Sequence, residues 1–190
     1  FLTSLGREWG LSNTDIGFVS GTYFLGYLLA TPILVGLTDR IDARLVFLGG
    51  CAFGAVGCLG FALLARDFWS AASCWALVGA GLAGTYMPGL QILNARLDDA
   101  ARVRSVPWYT ACFGIGTGAS FALMGVLLAY ADWRLAAYLG AGGAMLAAML
   151  VLFLVQSCPV APLPATKKKR HPLDLRPAFR KPVALGYILA

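Results

Sequence analysis

The sequence predicts an all-α fold, a polytopic transmembrane helical bundle. Three observations carry that expectation. First, the stretches 16–38, 45–65, 68–95, 105–131 and 135–156 hold no charged residue, so all 15 basic and 9 acidic residues fall outside them. Crossing a hydrocarbon core ~30 Å thick takes about 20 helical residues at roughly 1.5 Å each, and every stretch is that long. Second, apolar residues make up 59% of the chain and charged residues 13%, against about 25% charged in soluble domains. That balance excludes a water-facing globule. Third, the basic residues gather on one side of the spans.

The elements follow in order. The first span, 16–38, comes after Trp9 and stops at Asp39-Arg40. Ser20, Tyr23, Tyr27 and Thr31 fall on one face of it at helical spacing. The second, 45–65, carries Gly50, Gly54 and Cys58 four residues apart, and small residues at that spacing let helix backbones approach closely in lipid. The third, 70–94, is crowded with Gly79, Gly81 and Gly84, and Met87, Gln91 and Asn94 share a face beside Tyr86 and Pro88. Pro88 removes a helix hydrogen bond and favours a kink there. The fourth, 107–130, has Trp108 and Tyr109 at one end and Tyr130 at the other; Tyr109, Cys112, Gly116 and Ser120 share a face. The fifth, 135–156, follows Asp132-Trp133-Arg134. Aromatic rings at span ends suit the headgroup layer, and connections this short force antiparallel neighbours.

Residues 1–156 therefore read as one bundle. Residues 157–181 hold seven basic residues and several prolines without an apolar helical face, and read as a cytoplasmic linker. The apolar run 182–190 reads as the start of another transmembrane helix, which makes the chain an excerpt of a longer membrane protein.

If loops alternate sides, Arg40, Arg44, Arg96, Arg102, Arg104, Lys167, Lys168, Lys169, Arg170, Arg176, Arg180 and Lys181 share one side, and only Arg7, Arg66 and Arg134 lie on the other. This is the positive-inside bias, so the larger set is expected in the cytoplasm. It accounts for the net charge of +6 without nucleic acid as a partner. The basic run 167–170 either meets anionic headgroups or only fixes topology. Cys51, Cys58, Cys74 and Cys112 lie within spans and Cys158 on the cytoplasmic side; with no CxxC spacing they read as packing residues. His171 is the only histidine and has no companion ligand type, so no metal is expected. No cofactor is expected either.

No span contains Asp, Glu, His, Lys or Arg. Serine, zinc and aspartyl intramembrane proteases all need such groups at depth, so this stretch is read as non-enzymatic. The stripes of neutral polar side chains have two readings: glue between helices, or walls of an aqueous cavity. On the second reading Tyr23, Tyr27, Tyr86, Gln91 and Tyr109 are the candidate lining residues. The first span closes on Thr38-Asp39-Arg40 and the fourth on Asp132-Trp133-Arg134 while crossing in opposite directions, as an inverted three-helix repeat would.

The loop VGLTDRIDARL, residues 35–45, resembles the loop signature of the major facilitator superfamily, G-x-L-a-D-R-x-G-R-R/K. Leu37, Asp39, Arg40 and Arg44 occupy matching positions. Val35, Asp42 and Ala43 depart from the pattern, and Gly36 comes one place late. LSNTDIGFVSGTYFLGYLLATP is similar to the family's second helix and its lead-in, and DWRLAAYLGAGGAM resembles the outer loop and start of its sixth. The resemblance covers helices two to six, the central loop and the start of the seventh, most of the N-terminal half of a twelve-helix fold. It implies alternating access, in which two six-helix halves rock about a site near the membrane midplane. It also implies that Asp39 latches the cytoplasmic side against the C-terminal half of the same protein, through a helix amino terminus or a basic group. Arg40 and Arg44 would then pair with nearby acids, and charge alone nominates Asp98 and Asp99. Drug–proton antiporters of the family carry an Arg in the fourth helix and a Gly-Pro pair in the fifth; GAGLAGTYMPGLQIL and GIGTGASFALMG have neither. GTYMPGL looks somewhat like members that carry cyanate or nitroimidazoles, which leaves the substrate open.

The leading expectation is a secondary transporter of a small solute in a bacterial cytoplasmic membrane, its partners being the lipid bilayer, the solute and the other half of the protein. A non-transporting helical scaffold and half of a ten-helix drug/metabolite-type carrier are the alternatives.

Overall fold

A computed structural model describes residues 9–130 and 132–157. The expected linker, Cys158, the run 167–170, His171 and the expected helix start at 182–190 lie outside the described residues, as does Arg7. Five helices follow one another: α1 (Asn13–Leu37), α2 (Ala43–Leu64), α3 (Phe68–Arg96), α4 (Asp99–Tyr130) and α5 (Trp133–Leu154). Each is long and apolar enough to cross a membrane, and there is no strand among the described residues. In lipid a helix satisfies its own backbone, which is why charge-free runs of this length become helices.

Charged and hydroxyl residues set the ends. Ser12 caps α1: its hydroxyl accepts from the Asp15 N–H at 3.2 Å while the Asp15 carboxylate accepts from the Ser12 N–H at 3.0 Å. Asp67 and Ser70 form the same reciprocal pair at the start of α3, with Ser70 N–H donating to Asp67 at 2.8 Å. The Ser70 hydroxyl and N–H hold the Asp67 carboxyl below the usual carboxylate range, so an anion sits at the positive end of that helix. Asp42, which stands where the family signature has glycine, caps α2 by accepting from the Arg44 N–H at 3.0 Å. Asp98 accepts from the Ala101 N–H at 2.9 Å and starts α4. That helix therefore begins well before the apolar span 107–130, and its first turns carry Arg102 and Arg104. α3 runs unbroken through Pro88, which is fully buried.

α3 is the central rod. It packs along α1 on one side and α2 on the other, and α2 in turn packs along α5. Glycine makes the two α3 contacts close. A Cβ on Gly81 would lie 2.6 Å from the Gly54 nitrogen, and one on Gly84 2.7 Å from the Gly50 Cα. On the other side Gly79 faces the Tyr23 carbonyl and Gly26 faces the Ala76 carbonyl. At the end opposite the α1–α2 loop these helices share a core of Val19, Phe61, Ala72 and Trp133. Rings run across it from Trp9 to Trp133 (5.9 Å), Phe61 (5.7 Å), Trp75 (5.3 Å) and Tyr23 (5.9 Å). α4 makes only small contacts with α3 and α5. Gly114, Gly116 and Gly118 of α4 have open space where a side chain would go among the described residues, so no close helix packing forms on that glycine face among them.

Candidate functional site

Helix direction alternates, so the end of α1, the start of α2, the end of α3, the start of α4 and the end of α5 share one face of the bundle. Arg40, Arg44, Arg96, Arg102 and Arg104 all lie at that basic end.

The α1–α2 loop is short and wound tight. Thr38, buried, donates its hydroxyl to the Val35 carbonyl at 2.6 Å, and the Arg40 and Ile41 amides donate to the Leu37 carbonyl at 2.9 and 3.0 Å. The turn leaves Asp39 and Arg40 exposed, and neither side chain makes a hydrogen bond or ion pair among the described residues. Arg44 behaves differently. It turns inward, and its Nη2 donates to the Leu152 carbonyl of α5 at 2.6 Å. The expected pairing of Arg40 and Arg44 with Asp98 or Asp99 is not what forms. Asp98 caps α4, and Asp99 is bound by Arg102 at 3.1 Å, three residues along the same helix. The physical reason is distance along the chain: a carboxylate at a helix start is claimed by its own first turn before a remote cation reaches it.

Two arginines expected only to set topology complete this end. Arg102 donates to the Asn94 and Leu97 carbonyls at 2.9 and 3.2 Å, closing the end of α3. Arg96 donates to the Ile92 carbonyl at 3.1 Å and to the Gln156 carbonyl just past α5. The available signal was position alone: basic residues near a helix C-terminus complement its carbonyls and its dipole.

The candidate cavity residues separate into two groups. Tyr86 and Tyr109 come together: the Tyr109 hydroxyl donates to the Tyr86 carbonyl at 2.8 Å, the two rings are 5.8 Å apart, and Phe113 packs on Tyr86 at 4.7 Å. Gly89 makes room for this tie, because a Cβ there would press on the Tyr109 hydroxyl and lie 3.3 Å from its Cζ. Gln91 is half-buried on α3 and makes no side-chain hydrogen bond among the described residues. Tyr23 instead lies in the α1–α3 seam, its ring 5.9 Å from that of Trp75. Tyr27 is half-buried one turn deeper. Tyr27, Tyr86 and Tyr109 each stand ten residues from the basic end of their helices, at Leu37, Arg96 and Asp99. At roughly 1.5 Å per residue that is about 15 Å in from each helix end. A shallow groove of about 460 Å³ on the N-terminal half of α1, lined by Gly17, Phe18, Gly21 and Leu25, includes none of the five.

Gly89→Ala is expected to displace the Tyr109 hydroxyl and cost about 1 kcal/mol, the net worth of one hydrogen bond. Tyr109→Phe should cost the same, and the double variant no more than either alone. Thermal unfolding of the purified protein in detergent measures all three.

A model of the family described as Major Facilitator Superfamily matches residues 1–190. The chain belongs to that superfamily. It is a multi-pass, all-helical membrane protein with the superfamily's fold. Among curated relatives it is similar to "Protein spinster homolog 1" of Mus musculus, 27% identical over 161 residues, 83% of this chain and 30% of the relative. The same-named protein of Bos taurus is 29% identical over 161 residues, with the same coverage. "Probable sphingolipid transporter spinster homolog 1" of Arabidopsis thaliana is 28% identical over 163 residues, 82% of this chain and 30% of the relative. The chain thus spans about a third of the length of these superfamily relatives. They are spinster homologues, not the cyanate or nitroimidazole carriers that GTYMPGL resembles.

Proposed function

We propose that the chain is part of a secondary transporter that moves a small solute across the cytoplasmic membrane of a bacterium by alternating access. One observation carries this: within a superfamily fold whose spans hold no charged side chain, three tyrosines from three helices stand ten residues in from the basic ends of those helices. Neutral hydroxyls on aromatic rings can hold a solute there without the cost of burying charge. On this reading Tyr27, Tyr86 and Tyr109 face the solute path with Gln91, and Tyr23 supports it from the α1–α3 seam. Asp39 and Arg40, exposed and unpaired among the described residues, are the groups free to engage the C-terminal half of the protein as it closes. No reaction at a substrate bond is involved and no prosthetic group is needed.

An amphipathic lipid is the second reading of the substrate. The name of the Arabidopsis relative, a probable sphingolipid transporter, and apolar walls carrying only hydroxyl and amide groups, favour it. Superfamily membership leaves no room for the ten-helix carrier. The scaffold alternative stands against transport in one experiment. The full-length protein is reconstituted in vesicles, and uptake of labelled small polar solutes and of a labelled sphingolipid is followed. Saturable uptake of a polar solute supports the first reading and uptake of the lipid the second. A correctly inserted protein that moves neither is a scaffold.

A further inference from the structure

Among the described residues α5 ends without a side-chain cap of its own. Its last turn holds no basic residue, and Val155, extended, donates its N–H to the Val151 carbonyl. The carbonyls beyond Val151 have no helical donor left, and the helix dipole makes that end negative. Two guanidinium groups from other helices converge on it. Arg44, at the start of α2, reaches the Leu152 carbonyl at 2.6 Å across 108 residues of sequence. Arg96, the last residue of α3, spans its own Ile92 carbonyl and the Gln156 carbonyl. The Arg44 Nε is buried and has no partner among the described residues. Its side chain therefore gives up solvation to make this contact, rather than lying along the surface as Arg40 does.

Arginine suits the task. Its planar fork holds two acceptors at a fixed angle, and it stays charged at any physiological pH. The two contacts tie the basic ends of α2, α3 and α5 into one body. They also fix the point at which the chain leaves α5.

We propose that Arg44 and Arg96 are positioning residues, a two-arginine clasp that sets where and in what direction the chain departs from the bundle after α5. The clasp touches no solute. It holds the exit so that the bundle turns as a unit when the other half of the protein moves; this part rests on the transport reading. Loss of the clasp lets the last turn of α5 fray, which slows the conformational step without weakening solute binding.

The test uses the full-length protein reconstituted in vesicles, with Arg44→Gln, Arg96→Gln and the unaltered protein side by side. Amide hydrogen exchange is read at residues 152–157 and at the core around Phe61 and Trp133. Uptake of the solute found for the unaltered protein is read as kcat and KM. Each variant is expected to raise exchange at 152–157 by about tenfold or more, the loss of a charge-assisted hydrogen bond, and to leave that core unchanged. kcat should fall several-fold while KM holds. Unchanged exchange at 152–157 in both variants overturns the clasp, whatever the uptake. Raised exchange with unchanged kcat overturns the positioning role and leaves only a helix cap. An unaltered protein that transports nothing overturns the transport reading, and the exchange measurement still decides the clasp.

Discussion

Gly50→Leu is expected to leave no folded bundle after extraction into detergent, whereas Gly49→Leu one residue away is expected to unfold within about 1 kcal/mol of the unaltered protein. Both are glycines in the same turn of α2, with the same intrinsic helix penalty, and a larger residue is by itself the better helix former. The difference lies in what each one faces. A Cβ at Gly50 would stand 2.6 Å from the Gly84 carbonyl carbon and 2.9 Å from the Gly81 carbonyl oxygen, backbone atoms of α3 that cannot move without the whole rod. A Cβ at Gly49 meets nothing within 4 Å. Overpacking commonly costs about 1–3 kcal/mol where side chains can shift. Here two backbones must part, and with them the contacts of Gly54 and Gly84 along the same seam. Association of helices in lipid rests on close packing because no hydrophobic drive separates helix from lipid, so little remains to compensate. Equal yield and equal thermal stability of the two variants would show that the α2–α3 seam does not hold the bundle together.

The contrast between Gly49 and Gly50 marks how far the sequence could be read. Charge-free length fixes that a segment crosses the membrane, because unpaired backbone is forbidden there and a helix is the local solution. The helix ends are set as locally, by Ser12 with Asp15 and Asp67 with Ser70 at a spacing of three, but charge-free length did not reveal them: α4 starts at Asp99, well before the expected 107. Which helix meets which was not legible. These helices are apolar all round, so no hydrophobic stripe points to a partner, and glycine marks a face able to pack closely without naming its neighbour. Gly79 and Gly84 found partners on two different helices, while Gly114 and Gly118 found none among the described residues. The candidate site divides in the same way. That Asp39 and Arg40 lie at the basic end was readable from a loop with charges between apolar runs; that the Arg40 side chain stays unpaired among the described residues was not, because Asp98 and Asp99 are held within α4. The destination of Arg44 was not, because its partner is a backbone carbonyl of α5, and every residue has one. The tie between Tyr109 and Tyr86 was hidden likewise, since the acceptor is main chain and the space for it is the absence of a side chain at Gly89.

Asp39→Ala and Asp39→Asn are expected to lower solute flux at least about tenfold while leaving the protein in the membrane and as stable as before, or slightly more so. The sign follows from where the carboxylate sits. Asp39 comes just after the end of α1, whose last turn has no basic residue and whose carbonyls make that end negative. An anion there is unfavourable by about 0.3–1 kcal/mol, and no cation among the described residues offsets it. Removing the charge should therefore raise thermal stability slightly or leave it unchanged. A residue kept only for topology would not need the charge, because acids contribute little to orientation. On the transport reading proposed above, the carboxylate instead makes a contact outside these helices, meeting a helix amino terminus or a basic group of the other half when the cytoplasmic side closes. Such a contact is worth roughly 1.5–3 kcal/mol as a charge-assisted hydrogen bond, enough at about 1.4 kcal/mol per tenfold to shift a conformational equilibrium by an order of magnitude. Arg44→Gln gives the opposite pattern in stability, since it removes a contact within the bundle and loosens the end of α5. Uptake in vesicles together with melting in detergent separates the two residues. If Asp39→Asn transports at the unaltered rate, the loop closes nothing and its acid is incidental to transport.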